Sequence, residues 1–209
     1  MKISRIAAIT FVVALLTTII SYYLWDIPLA RYCHTLNRSI IDAAEVITAL
    51  GITKWYLIAS AVLFVFFRFL WRQKLQAMRS LFVFASLSVA GILLHIIKWL
   101  AGRNRPINLF DHGYYGFNFF GTGYETTSFP SGHAQTIFTF ATALSLIFPR
   151  FSIPLFFVAL MVGLSRVILT AHYLSDVIAG AAVGIICTLA VRYYFDRRKI
   201  EINRISKGN

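Results

Sequence analysis

Three short stretches of the sequence combine residue types that can bind and transfer an anionic group. They are Lys98 to Pro106, Ser128 to Thr136 and Ser165 to Asp176. The chain around them is strongly apolar, with a mean hydropathy of +0.72. Placing an ionisable side chain in such surroundings costs free energy unless the side chain faces a cavity or a partner. We therefore treat the three stretches as one candidate site.

The first stretch, KWLAGRNRP, places Lys98 and Arg105 seven positions apart. On a helix that continued this far, both cations would share a face, and Pro106 supplies a stop signal. Cations at the end of a membrane helix often only reach for lipid headgroups. The local excess of cations, which includes Arg103, favours an anion site instead.

The second stretch places Pro130, Ser131, Gly132 and His133 directly before an apolar run. Ser131 is a good N-cap, and Gly132 lets a ligand approach the backbone closely. A helix N-terminus with these features favours phosphate binding. His133 adds a proton that moves near neutral pH, although a helix cap with an interfacial histidine is the simpler alternative.

The third stretch contains Arg166, inside an apolar run, followed by His172 and Asp176. The histidine and the aspartate are four positions apart, so on a helix the carboxylate could hold one imidazole nitrogen and leave the other free. Such pairing makes a histidine a better nucleophile or base. A purely structural hydrogen bond between the two is the alternative.

Apolar segments of membrane-crossing length surround these stretches. The composition, 58% hydrophobic and 13% charged, excludes a water-soluble globule of this size. We predict an all-α fold, a polytopic bundle of six transmembrane helices that forms a single membrane-embedded domain over residues 1–209. The predicted segments are Ile6 to Trp25, Trp55 to Trp71, Ser80 to Ala101, Gly132 to Phe148, Ile153 to Thr170 and Ser175 to Phe195.

The basic residues predict the orientation of this bundle. With six crossings, 13 of the 20 Lys and Arg residues lie on the side of the termini, which is therefore expected to be cytoplasmic. The candidate site then lies on the extracytoplasmic side of a membrane that we expect to be a bacterial inner membrane. The net charge of +12 is explained by anchoring to anionic lipid and predicts no nucleic-acid partner.

The segment 107–129 is rich in aromatic residues and glycine. Its rings suit either an interfacial flap that contacts substrate or a plain aromatic belt at headgroup level. The candidate substrate contacts in and beside this segment are Arg103, Tyr114, Tyr115, Phe119 and Tyr124.

Taken together, the three stretches resemble the three-part signature of the type 2 phosphatidic acid phosphatase superfamily. The matching residues are Lys98, Arg105 and Pro106; Pro130 to His133; and Ser165, Arg166, His172 and Asp176. The six-segment plan is similar to the integral-membrane lipid phosphatase branch. The apolar composition argues against the soluble haloperoxidase branch.

The resemblance implies a role for each signature residue. His172 attacks phosphorus to form a phosphohistidine, Asp176 orients it, and His133 protonates the leaving oxygen. Phosphoryl oxygens are bound by Lys98, Arg105, Ser131, Gly132 and Arg166. The scheme implies no metal and no other cofactor, with a membrane lipid phosphate as substrate.

The substrate and the acceptor stay open at this point. A polyprenyl diphosphate, phosphatidate, phosphatidylglycerophosphate or a lipid A phosphate would each suit a phosphatase of this kind. A phosphotransferase would pass the same phosphoryl group to another lipid instead of water. A non-enzymatic bundle, such as a transporter or a haem protein using His95, His133 and His172, is the third class.

Overall fold

The computed structural model describes residues 2–203, which form a helical bundle; within this range extended pairing is confined to a bridge between Arg103 and Phe117. The predicted all-α class is confirmed. Arg204 and Lys207, which entered the orientation argument, lie outside the described residues. The helices are α1 (Lys2–Leu24), α2 (Asp26–His34), α3 (Arg38–Thr48), α4 (Thr53–Val65), α5 (Lys74–Ala101), α6 (Pro106–His112), α7 (Gly132–Ile147), α8 (Ser152–Ile168) and α9 (Leu174–Arg197).

Within the described residues, five helical stretches are long and apolar enough to cross a membrane. They are Ile3–Leu24, Arg38–Leu70, Lys74–Ala101, Pro149–Ile168 and Leu174–Arg197. Large apolar side chains such as Ile9, Phe11 and Val12 remain exposed along them, as lipid contact requires. The chain is a multi-pass membrane protein.

The predicted count of six crossings is not confirmed, because the fourth predicted segment forms the shorter helix α7. This helix has 16 residues, which at 1.5 Å per residue is about 24 Å and less than the ~30 Å hydrocarbon layer. Helix α7 packs against α5, α8 and α9. Most of its length therefore contacts protein rather than lipid.

Two glycines bring α9 close to α7. A Cβ atom on Gly180 would clash with the carbonyl oxygen of Ser131, and one on Gly184 would lie 2.6 Å from that of Gln135. Small residues allow such close backbone approach between membrane helices. The amide of Ser131 also donates to the carbonyl of Asp176 at 2.9 Å, so the N-terminal ends of both helices lie together.

Helices α2 and α3 follow α1 and are separated by a short turn. Asn37 separates them and caps α3, since its side chain accepts from the amide of Ile40 at 3.1 Å. Cys33 of α2 packs with Ala134, Val167 and Val177 near the N-terminal ends of α7 and α9. The α2–α3 corner thus covers the end of the bundle that carries the signature residues.

Candidate active site

Helix α5 ends before Arg105, so Lys98 and Arg105 do not share a helix face. Gly102 has a left-handed backbone with φ 54°, and a Cβ there would lie 2.7 Å from the backbone of Phe119 and of Gly121. Close packing and positive φ both require glycine at this position. Pro106 accordingly begins α6 instead of stopping α5.

A single carbonyl nevertheless connects the two cations. The Nζ atom of Lys98 donates to the carbonyl of Thr127 at 2.5 Å, and Nη2 of Arg105 lies 3.4 Å from the same oxygen. Arg105 also donates to the carbonyls of Tyr124 and Ala171 at 2.7 and 2.8 Å. The loop before α7 therefore positions both predicted phosphate ligands.

Ser131 occupies the predicted N-cap position of α7, but its side chain makes no capping hydrogen bond. Ser131 precedes the helix with extended backbone (φ −70°, ψ 123°), and Gly132 is the first helical residue. The Ser131 hydroxyl is buried and makes no hydrogen bond. A buried hydroxyl without a partner is uncommon in folded proteins, so this one is available to a ligand.

His133 lies in the first turn of α7, against the backbone of Gly51. A Cβ atom on Gly51 would lie 2.6 to 2.9 Å from atoms of the His133 side chain. The imidazole is within electrostatic range of Lys98, Arg105 and Arg166. The structure thus gathers the predicted proton donor with the predicted anion ligands.

Arg166 reaches this group from the last turn of α8. Its Nη1 donates to the hydroxyl of Thr48 at 2.8 Å, while its Nε is buried without a partner. Arg166 therefore contacts protein and not lipid, which reduces the free-energy cost of an arginine within an apolar run. Thr48, at the end of α3, was missed by the sequence analysis and carried no motif that could have revealed it.

His172 precedes helix α9, so the predicted shared helix with Asp176 is wrong while the predicted proximity is confirmed. The Nδ1 atom of His172 lies 3.5 Å from Oδ2 of Asp176. Asp176, in the first turn of α9, also accepts from the amide of Tyr173 at 2.9 Å. The Ser128 hydroxyl, which the sequence analysis did not select, donates to Asp176 at 2.6 Å and lies 3.4 Å from Nδ1 of His172.

The other imidazole nitrogen of His172 lies among cations. Its Nε2 is 3.3 Å from Nη1 of Arg105. Burial lowers the pKa of His172 to about 3, and the nearby charges of Arg105 and Lys98 act in the same direction, although the hydrogen bond to Asp176 opposes them. The ring is therefore neutral near pH 7, with Nδ1 directed to the carboxylate and Nε2 able to accept a hydrogen bond from Arg105.

Arg103 does not lie where a substrate could touch it, which corrects its predicted role. Its side chain is fully buried, and it forms ion pairs with Asp26 at 2.6 Å and Asp176 at 2.5 Å. Burial alone would lower the pKa of Arg103, but the two carboxylates outweigh that effect and raise it above its usual range. Tyr115 is likewise turned inward, donating to the carbonyl of Tyr22 at 2.7 Å.

The remaining loop residues are accessible. Tyr114, Phe119 and Tyr124 are 63%, 64% and 67% exposed. The Tyr124 ring lies 4.0 Å from the guanidinium carbon of Arg105. The exposure of these three side chains is compatible with both predicted roles, contact with substrate and an aromatic belt at headgroup level.

Across residues 2–203, no three His, Cys, Asp or Glu side chains are grouped so as to hold a metal ion. The positive charge at the site is supplied by Lys98, Arg105 and Arg166, together with the N-terminal end of α7. Such an arrangement can bind a phosphoryl group and stabilise charge as it is transferred.

Known proteins are similar to this chain in sequence and in fold. The model of the PAP2 superfamily matches residues 79–200, more than half of the chain. A lipid A 1-phosphatase of Rhizobium johnstonii is 32% identical over 195 residues, covering 88% of this chain and 79% of that protein.

Two crystal structures have similar folds. LpxE of Aquifex aeolicus gives a TM-score of 0.61 at 22% identity, covering 82% of this chain and 97% of that one. A PAP2 type phosphatidylglycerolphosphate phosphatase of Bacillus subtilis gives 0.59 at 20% identity, covering 95% and 98%. At these identities the likeness concerns the fold alone.

Proposed function

The chain belongs to the PAP2 superfamily, and we propose that it hydrolyses a lipid phosphate through a phosphohistidine intermediate at the extracytoplasmic face of the membrane. As a member of the membrane phosphatase branch of this superfamily, it is a lipid phosphate hydrolase. This membership removes the transporter and the haem protein from consideration. The phosphotransferase differs only in the acceptor.

The proposed reaction begins at Nε2 of His172. This nitrogen attacks phosphorus, the phosphorus–oxygen bond to the lipid breaks, and His133 gives its proton to the departing oxygen. Water then attacks the phosphohistidine, His133 takes a proton from it, and inorganic phosphate leaves with His172 neutral again. Asp176 stabilises the proton on Nδ1 throughout, which the 3.5 Å separation supports.

One observation supports phosphate binding most strongly. Two of the predicted ligand side chains, Ser131 and Arg166, each have a buried polar atom with no hydrogen-bond partner, Oγ and Nε respectively. Buried polar atoms without partners are rare. A phosphoryl group bound between Lys98, Arg105 and Arg166 would supply acceptors for both.

A lipid A-type glycolipid carrying a 1-phosphate is our preferred substrate. The support is the Rhizobium johnstonii lipid A 1-phosphatase, which is similar over most of this chain. A cavity of about 350 Å³ beside Arg105, lined also by His34, Asp111 and Tyr124, suits a sugar headgroup. Aromatic faces, a carboxylate and a guanidinium can together bind hydroxyl groups.

The membrane topology that we propose is the one predicted from the sequence. Helix α7 would be a sixth, protein-enclosed crossing, so that both termini are cytoplasmic and the site is extracytoplasmic. The supporting observation is the excess of Lys and Arg on the side of the termini. A bacterial inner membrane suits a lipid substrate presented on that outer face.

Phosphate release by detergent-purified protein in EDTA tests the proposal. The panel would contain lipid A 1-phosphate, polyprenyl diphosphate, phosphatidate and phosphatidylglycerophosphate. We expect the highest kcat/KM with lipid A, loss of release in His172→Ala, and full release in His95→Ala. His95 is an exposed histidine that contacts its own helix at Gly91, 2.8 Å away, and serves as the matched control.

The other outcomes are equally informative. Preference for another lipid of the panel would overturn the proposed substrate but not the reaction. Phosphate on a second lipid, with no inorganic phosphate, would identify a phosphotransferase. Full release by folded His172→Ala would overturn the proposed nucleophile.

A further inference from the structure

A buried aspartate outside the signature connects with the predicted nucleophile. Asp26, the first residue of α2, is 1% exposed, although it follows an apolar membrane segment. It accepts from the Ser21 hydroxyl at 3.0 Å and from the amide of Ser175 at 2.9 Å. A buried carboxylate is stable only when its partners compensate for lost hydration.

Arg103 provides the main compensation and joins Asp26 to Asp176. Its Nη2 donates to Asp26 at 2.6 Å and its Nη1 donates to Oδ1 of Asp176 at 2.5 Å. The guanidinium carbon lies 4.6 Å from the ring of Tyr173 and 4.9 Å from that of Tyr22. The planar guanidinium donates hydrogen bonds to two carboxylates and is enclosed by aromatic rings. Its orientation is therefore fixed.

Asp176 is thereby held at both carboxylate oxygens. Oδ1 accepts from Arg103, while Oδ2 accepts from Ser128 and from the amide of Tyr173 and faces His172. Rotation of the carboxylate would break several charge-assisted hydrogen bonds at once. The oxygen that faces Nδ1 of His172 is therefore set by contacts that begin at Asp26.

We propose that Asp26 and Arg103 are positioning residues that hold Asp176 so that His172 presents Nε2 to the phosphoryl group. This inference rests on the proposed function of the site. Neither residue touches the substrate; both act through Asp176. The Ser175 hydroxyl, which hydrogen-bonds with both Arg103 and Asp26, belongs to the same chain of contacts.

The charge balance explains why both residues are needed. Without Arg103, two buried carboxylates would face each other and one would take up a proton, which removes the charge that stabilises the imidazole of His172. Without the charge of Asp26, Arg103 would be neutralised by Asp176 alone and would draw that carboxylate away from the imidazole. Residues that orient metal ligands in the same indirect way typically contribute roughly 10–100-fold to activity, and we expect an effect of this order here.

Steady-state kinetics of Asp26→Asn tests the inference. We expect kcat on the lipid to fall by roughly 10–100-fold, while KM changes little because the cations that bind phosphate are untouched. The matched control is Asp196→Asn, which removes an Asp–Arg pair of 3.0 Å, with Arg192, near the opposite end of α9. Wild-type kcat in folded Asp26→Asn would overturn the inference, as would an equal loss in the control.

A variant with a smaller structural change tests the inference if Asp26→Asn does not fold. Ser175→Ala removes only a hydroxyl, and we expect a smaller fall in kcat at unchanged KM. Unchanged kcat in folded Ser175→Ala would then count against the chain of contacts. Arg103→Lys should retain more activity than Arg103→Gln, because it keeps the charge.

A spectroscopic readout separates this inference from the proposed function. Nitrogen-15 NMR of labelled histidines, assigned with His172→Gln, should show His172 protonated at Nδ1 in the wild type and a mixture of tautomers in Asp26→Asn. If the tautomer of His172 changes in Asp26→Asn but the wild type releases no phosphate from any lipid, only the phosphatase proposal is refuted. An active wild type with unchanged spectra and kcat in the variant would refute only the positioning role.

Discussion

The Nδ1 atom of His172 lies 3.5 Å from Oδ2 of Asp176, although the histidine precedes helix α9 and the aspartate lies inside it. Short contacts from Ser128 and the Tyr173 amide hold the same oxygen at 2.6 and 2.9 Å. In the proposed reaction, this pairing makes Nε2 the nitrogen that attacks phosphorus.

If His133 protonates the leaving oxygen, its removal should slow the reaction of a lipid phosphate more than that of nitrophenyl phosphate. General acid catalysis usually contributes about 10²–10⁴-fold, so His133→Ala should lose a factor of this size on a lipid phosphate. Nitrophenolate leaves without a proton, so the same variant should lose far less on nitrophenyl phosphate. The comparison uses kcat/KM, because kcat also includes the later attack of water, in which His133 acts for both substrates. Equal losses of kcat/KM on both substrates would contradict the role of His133 as proton donor.

The contact between Gly51 and His133 predicts an effect of adding one methyl group. A Cβ on Gly51 would lie 2.6 Å from the imidazole, so Gly51→Ala should displace the ring and lower kcat, by about 10²-fold if the displacement is about 1 Å. Gly91→Ala is the matched control, because a Cβ there meets nothing within 4 Å. Similar kcat values for the two variants would show that the ring position does not matter.

The geometry of Arg166 predicts that lysine cannot replace it. A lysine keeps the charge but loses the planar fork, so Arg166→Lys should lower kcat/KM by about 10²–10³-fold, as loss of one such contact typically does. The control is Arg150→Lys, which changes an exposed arginine 4.7 Å from the ring of Phe151. Full activity in Arg166→Lys would mean that charge alone suffices.

The pKa of His172 predicts a dependence of stability on pH. Burial lowers the folded-state pKa to about 3, below the ordinary value of 6.5. The unfolded state therefore binds the extra proton first, and this contribution to stability is present above pH 6.5 and is lost as the pH falls towards 3. The thermal midpoint of the wild type should fall more steeply from pH 7 to 4 than that of His172→Gln; parallel curves would contradict the shift.

Local patterns in the sequence were sufficient to predict the helical class and the signature residues that the structure brings together. Ser131 precedes α7 and Arg166 lies in the last turn of α8, as the cap and apolar patterns indicate. The break of α5 at Gly102 depends on a distant loop, since the glycine packs against the backbone of Phe119. A local pattern also marks this helix end, because Gly102 is followed by Pro106, and the predicted segment Ser80 to Ala101 ends at the same residue.

Long-range pairing explains the other differences. Arg103 resembles its neighbouring cations in sequence, but it is buried because Asp26, 77 positions earlier, supplies an opposite charge. Asp26 carries a weak signal, a lone acid after an apolar segment, that could have suggested a buried partner.

Trapping the intermediate tests the proposed chemistry most directly. The wild type would be mixed with its lipid phosphate, quenched in alkali during turnover and analysed by mass spectrometry of its peptides. We predict alkali-stable, acid-labile phosphate on His172, absent from His172→Gln. Phosphate on another residue, or turnover at the wild-type rate by His172→Gln, would contradict the proposed mechanism.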